Sequence, residues 1–220
     1  MAEVKLLYPA LGLISPKSWG TEEQITDMMK NIYTKYGTYI DFVSQESNLP
    51  KKMIASFIAV ESGGIPTAGA SGHPTQGLMQ WNRAYAKSQL ETELKQGRMT
   101  ANEKSKLASY GIKFDAKGNT RAITNADQLK PELNILIGSI ILGQLVDTSW
   151  GTENGEIKLD RVISVYNAGA FGDTGTKARS KQYKTPQELV KAVNPTSASY
   201  IKKILGLSGA LYVTKYFKSV

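Results

Sequence analysis

Glu61 is the residue best placed to do chemistry. It continues the stripe Met53, Ile54, Phe57 and Ile58 at helical spacings of three and four. Gly63-Gly64 and Pro66 then stop the helix, so the Glu61 carboxyl faces the core side at a helix end. Withdrawing a carboxyl from water disfavours its charged form. That keeps on it the proton a general acid needs near neutrality. Between Ser47 and Leu90 there is no other Asp or Glu. A retaining glycosidase with a carboxylate nucleophile needs a second acid close by, and this stretch supplies none, although the fold could bring one from elsewhere. The same periodicity also fits a glutamate that pairs with a lysine or caps a turn.

Tyr166 occupies a similar position on another helix: it ends an apolar face and a Gly-containing stop follows. A phenol there can hydrogen-bond a buried carboxylate, and a core tyrosine at a helix end fits equally plain rules. Gly77-Leu78-Met79-Gln80 follows a flexible loop. Glycine permits close backbone approach, and the Gln80 amide offers both donor and acceptor, which suits an acetamido sugar. His73 lies in the preceding loop as a substrate contact or an exposed loop residue. Trp81 fits a sugar platform or a core tryptophan. With one His and no Cys, a zinc site would need mostly carboxylates, so the expectation is chemistry without metal or cofactor.

The elements that must position these residues are mainly helical. Thr21-Glu22-Glu23-Gln24, Thr100-Ala101-Asn102-Glu103 and Thr185-Pro186-Gln187-Glu188 are capping signals. The first predicts a helix with Ile25, Met28, Met29, Ile32 and Tyr36 on one face. Pro50 suits the first turn of the helix bearing Glu61. Asn82 caps a helix to about Gln96, Gly111 stops the next, and residues 112–127 read as a polar loop with a short hairpin near Lys117-Gly118-Asn119. Pro131 opens a helix apolar nearly all round from Leu133 to Val146, the pattern of a buried centre. Leu159, Val162, Ile163 and Tyr166 mark another helix, ended by Asn167-Ala168-Gly169. Tyr200, Ile201, Ile204 and Leu205 form a last core face. The tail from Ala210 to Val220 fits helix or strand alike. The expected organisation is an N-terminal arm (1–20), one helical domain (21–206) and a C-terminal tail (207–220).

The chain has 220 residues, 41% hydrophobic and 21% charged, ordinary for a globular domain that buries its own core. The absence of Cys excludes disulfides and thiolate chemistry. The N-terminus lacks a signal-peptide pattern, and no stretch is long enough to span a membrane. A chain made as a soluble cytoplasmic product is therefore expected, with delivery by something else if it acts outside. A net charge of +8 favours a polyanionic partner. No dense basic run, zinc-finger spacing or RNA-binding signature accompanies it, so nucleic acid is not expected as the target.

Taken in order, the chain holds Glu61-Ser62, Gly77-Leu78-Met79-Gln80, Asn134-Ile135 with Gly138 and Ile141-Leu142, Tyr166-Asn167-Ala168-Gly169, and Tyr200-Ile201 with Ile204-Leu205. This order closely resembles the soluble lytic transglycosylase family over residues 48–206. The resemblance implies a mainly α, lysozyme-like domain of the goose-type/lytic transglycosylase kind, with irregular loops. It implies cleavage of the β-1,4 bond between N-acetylmuramic acid and N-acetylglucosamine in peptidoglycan. Glu61 would protonate the leaving oxygen, and the substrate's N-acetyl group would stabilise the anomeric carbon. Glu61 would then act as base on the muramoyl 6-hydroxyl, closing a 1,6-anhydro ring. Tyr166 would hold Glu61 or the N-acetyl group. Ser71, Met79, Gln80 and Asn167 would line the sugar cleft, and Ser62, grouped with them, would help fix the helix end.

The sequence departs from the family pattern in three places. Residues 81–130 are longer than expected between motifs, which implies an inserted subdomain or lid. Gly63-Gly64 stands where an aromatic often follows Glu-Ser, and Thr196 stands where a Glu often precedes the last-motif Tyr. The competing readings are a goose-type muramidase using the same Glu with water, a catalytically silent wall-binding subunit, and a nucleic-acid binder. The setting that fits the transglycosylase reading is a monomeric, phage-encoded endolysin acting on glycan strands in the cell wall, without membrane insertion; a virion-associated lysin or a secretion-system component fits as well.

Overall fold

A computed structural model describes residues 12–69 and 71–213. After a short 3-10 turn at Lys17–Trp19, the helices are α1 (Glu22–Ser47), α2 (Lys51–Ser62), α3 (Arg83–Lys95), α4 (Ala101–Ser109), α5 (Asn125–Gln128) and α6 (Pro131–Val146). A ribbon β1 (Thr152–Glu153) and β2 (Glu156–Ile157) follows, then α7 (Leu159–Ala168), α8 (Asp173–Arg179), α9 (Pro186–Ala192) and α10 (Pro195–Leu205). The mainly α expectation holds. The described residues group into two compact units, 32–143 and 12–31 with 144–213.

In the unit of residues 32–143, α2 and α6 supply the core. Met53 to Ala59 of α2 and Leu133 to Leu142 of α6 are buried nearly without interruption, because neither helix has a polar face to keep in water. Thr100 caps α4 reciprocally with Glu103, and its hydroxyl also donates to Glu46 of α1 at 2.6 Å. The hairpin near Lys117-Gly118-Asn119 forms as a bridge between Phe114 and Thr120, its turn gathered by Asp115, which accepts the Lys117 and Asn119 amides. The loop reading of 112–127 needs one correction. Its end opens α5, where Thr124 and Asp127 cap each other, an aspartate performing the task that Glu or Gln performs in the other boxes.

In the unit of residues 12–31 and 144–213, α7 packs against α8 and α10. Thr21 and Gln24 form the capping box at the start of α1, and Thr185 with Glu188 forms that of α9. Arg161, 4% exposed, donates to the Tyr183 carbonyl at 3.3 Å and pairs with Glu153 at 3.3 Å, which ties α7 to the ribbon and to the approach to α9. Asn154 (φ 55°) and Gly155 (φ 78°) turn the ribbon. In the arm, Ile14 bridges Leu207 in parallel. The tail forms turns as far as Val213; its remaining positions, 214–220, lie outside the described residues.

Candidate active site

Glu61 sits in the last turn of α2, half-buried. The backbone beside it is fixed by three devices. Gly63 takes a left-handed conformation (φ 61°) and its N–H returns to the Ala59 carbonyl at 3.0 Å, a left-handed helix cap. Ser62 donates its hydroxyl to the Ile58 carbonyl at 2.9 Å and accepts the Gly64 N–H at 3.2 Å. Gly64 (φ 79°) lies so close to Ile32 that a Cβ would fall 2.8 Å from its Cγ1, and its carbonyl accepts the Tyr36 hydroxyl at 3.2 Å. The Gly63-Gly64 pair that departs from the family pattern therefore has a local reason: α1 passes too close for a side chain at Gly64. Ser62 is itself buried, and its hydroxyl is engaged in holding the helix end.

The turn Gly77–Gln80 is built around the buried amide of Asn134, on α6. Its Oδ1 accepts the Met79 N–H at 2.7 Å, and its Nδ2 donates to the carbonyls of Gln76 (3.1 Å) and Gln128 (2.8 Å). Its backbone carbonyl takes the Trp81 indole N–H at 2.9 Å. Gly77 (φ 86°) is required here, since a Cβ would fall 2.3 Å from both the Asn134 amide and the Gln128 carbonyl. Gly138 is required one turn further along α6, since its Cβ would meet the Met79 sulfur at 2.4 Å. Met79 is thus fully buried, its side chain lodged against a helix face that carries none. Trp81 is a core residue, 3% exposed.

Gln80, half-buried and left-handed (φ 49°), uses its Nε2 on the carbonyls of Ala68 and Gly77, each at 2.8 Å. It cross-links the loop after Glu61 to the turn. Gln128, 0% exposed, does the same from α5, donating to Pro74 (3.0 Å) and Trp81 (2.7 Å). Arg83 adds a bond to the His73 carbonyl at 3.1 Å and contacts to Asn125 and Gln128. Ser71 and His73 are exposed on this loop, the His73 ring 2.8 Å from the Thr75 hydroxyl. Residues within 81–130 thus hold the loop in place, a role that their composition did not announce.

Asp127 is 2% exposed. Burial alone pushes its carboxyl up, but hydrogen bonds from Arg121 and from the Thr124 amide and hydroxyl outweigh it and hold the group well below the usual carboxylate range.

Tyr166 and Asn167 end α7, both half-buried. Gly169 (φ 76°) closes the helix by donating to Val165 at 2.8 Å. The Asn167 Oδ1 accepts the Ser197 hydroxyl at 3.0 Å, which ties the motif to α10. At the start of α7, burial pushes the Asp160 carboxyl up, against the opposing Arg161 amide and charge.

The structure therefore places Glu61, Ser62, Ser71, Met79 and Gln80 in one unit and Tyr166 with Asn167 in the other. Among the described residues no group of three or more His, Cys, Asp or Glu side chains could hold a metal ion, and no helix is long and apolar enough to cross a membrane. The arrangement offers a carboxyl acid on a rigid helix end beside a cross-linked polar loop, and a phenol at a second fixed helix end.

The transglycosylase SLT domain family model matches residues 38–191, a span containing every one of these site residues. The chain belongs to this family. Among solved structures, an inactive mutant of the lytic transglycosylase Slt from Pseudomonas aeruginosa is similar, at 16% identity and a TM-score of 0.51. The match covers 76% of this chain and 22% of that one, so this chain spans about a fifth of that protein's length. At such identity the likeness is one of fold, and it supports the lysozyme-like architecture. No curated protein matches the chain.

Proposed function

We propose that the protein is a peptidoglycan lytic transglycosylase with Glu61 as its acid and base. The observation that carries this is Glu61 itself: a half-buried carboxyl on a helix end locked by Ser62, Gly63 and Gly64, inside the matched family segment. Protonated Glu61 gives its proton to the glycosidic oxygen, and the N-acetylglucosamine side leaves. The carbonyl oxygen of the muramoyl N-acetyl group stabilises the anomeric carbon, with Tyr166 orienting that group. Glu61, now a carboxylate, takes the proton of the 6-hydroxyl as O6 bonds to the anomeric carbon. The proton returns to where it began, and no water is consumed. Ser71, Gln80 and Asn167 are the proposed sugar contacts, while Ser62 and Met79 serve by positioning. The family match supports this reading over a goose-type hydrolase or a silent wall-binding subunit. The +8 charge suits a wall that carries anionic groups. We place the enzyme as a monomer in a phage-encoded lytic setting, which sedimentation and co-expression with a membrane-pore protein would test.

The test is mass spectrometry of muropeptides released from purified walls, in excess chelator. The expected products lack one water relative to muramidase products and resist borohydride reduction, at a rate the chelator leaves unchanged. Glu61→Gln should abolish release while keeping the melting temperature. Hydrated, reducible ends would replace this mechanism with the hydrolytic one, and release at the native rate by Glu61→Gln would remove Glu61 from it.

A further inference from the structure

We infer that Phe171 and Arg179 form a glycan-binding subsite, with a sugar ring stacked on Phe171 and an acidic group of the wall strand meeting the Arg179 guanidinium. This rests on the reading of the protein as an enzyme of peptidoglycan.

Phe171 is 91% exposed, the most accessible large apolar side chain among the described residues. At that exposure it adds almost nothing to the core, so folding gives no reason for a phenylalanine there. Its place is specific: Ala170 alone separates it from Tyr166-Asn167-Ala168-Gly169. The segment that displays it is rigid. Gly169 is bonded back to Val165, and Gly175 of α8 approaches so closely that a Cβ would fall 1.9 Å from the Gly169 carbonyl. Arg179, at the end of α8, donates its Nε to the Ala170 carbonyl at 3.0 Å and stacks 5.5 Å from the Phe171 ring centre.

These contacts fix the backbone that displays the ring and set a cation beside it. The ring keeps nearly all of its surface in solvent. An open aromatic face held in place is a platform for an apolar face of a pyranose, and a guanidinium stays charged at every working pH. The neighbouring cation Lys177 is already committed: it pairs with Asp173 at 2.8 Å and reaches the Ala192 carbonyl at 3.0 Å. Arg179 is the cation of this corner that lies against the ring. An uncharged sugar face beside a carboxylate is the ligand chemistry the pair selects, and a glycan strand with stem-peptide carboxylates supplies it.

Wild type, Phe171→Ala and Phe171→Trp would be co-sedimented with purified walls over a range of wall concentrations, with muropeptide release followed in parallel. The expected result is binding about tenfold weaker for Phe171→Ala, which corresponds to about 1.4 kcal/mol, near-native binding for Phe171→Trp, and melting temperatures within about 2 °C of one another, as surface changes give. Phe171→Ala binding as tightly as wild type would overturn the subsite while leaving the enzymatic reading intact. If the variants separate as expected but wild type releases no muropeptides, the subsite stands as a wall-binding site and the enzymatic reading fails. If wild type neither binds nor releases, both fail.

Discussion

Truncating Asn134 to alanine should cost more stability than its size suggests. The side chain is fully buried and satisfies three backbone groups: the Met79 N–H and the carbonyls of Gln76 and Gln128. Each buried group left unpaired costs about 1–3 kcal/mol. A water entering the vacated space can recover part of that, so the loss comes to about 3–5 kcal/mol in all, with the per-group range above. Set against a total of about 5–15 kcal/mol for a domain, this is a large fraction. At about 2–4 °C per kcal/mol for a chain of this size, the melting temperature should fall by about 6–20 °C. Thermal melts followed by circular dichroism, with urea titration for the free energy, measure it. Asn134→Asp sharpens the test, because it keeps shape and the acceptor for Met79 but turns an oxygen toward two carbonyls. Protonated, that carboxyl can still donate to one of them; ionised, it is repelled by both. Its folded state therefore favours the proton, so its contribution is present at acid pH and lost as pH rises. A melting temperature for Asn134→Ala within about 2 °C of wild type, or no pH dependence specific to Asn134→Asp, would refute the assignment of the turn's order to this amide.

Two further outcomes are expected. Tyr166→Phe removes one hydroxyl and should lower muropeptide release by about 10- to 1000-fold, the range for a positioned hydrogen bond in a site, with an unchanged melt; a clear loss of stability at full activity would make Tyr166 a packing residue. Asp127→Asn should flatten the acid limb of the stability profile: the native carboxyl is held low by Arg121 and Thr124, so its contribution is fully present above the ordinary aspartate range and is lost progressively as pH falls below that range toward the depressed folded value, and urea midpoints from about pH 2 to 7 would show whether the variant lacks that loss.

Helices were legible where the signal is local. The boxes at Thr21, Thr100 and Thr185 each appear as read, because a hydroxyl and an acid or amide three residues apart need nothing else. The box at Thr124 escaped because Asp127 closes it, a shorter side chain than the pattern requires. The ribbon escaped although Asn154-Gly155 is a strong turn pair, since strands of two residues each leave no alternation to see. Helix α8 begins without a side-chain cap and runs for only seven residues. Glu61 was visible because helical spacing alone sets it on the apolar stripe. The work of Asn134, Gln128 and Arg83 was not, because most of their partners stand 10 to 58 residues away and nothing in the adjoining sequence names them. Met79 looks like a cleft residue by position, and Trp81 fits a sugar platform or the core alike, yet both are buried, Met79 because Gly138 of α6 leaves a slot that only packing reveals.

The bond between Met79 and Asn134 spans 55 residues, and that between Gln128 and Trp81 spans 47. Closing a loop of about 55 residues costs on the order of 3–4 kcal/mol in chain entropy before any bond repays it. Helices α3 and α4 lie inside that loop, and each carries its own cap, so they can form early on local terms. The turn that carries Gln80 cannot, because its order comes from an amide that arrives with α6. During folding the loop beside Glu61 therefore sets only after the intervening segment has been gathered, and a chain interrupted anywhere between Trp81 and Lys130 holds an acid but no fixed surface beside it.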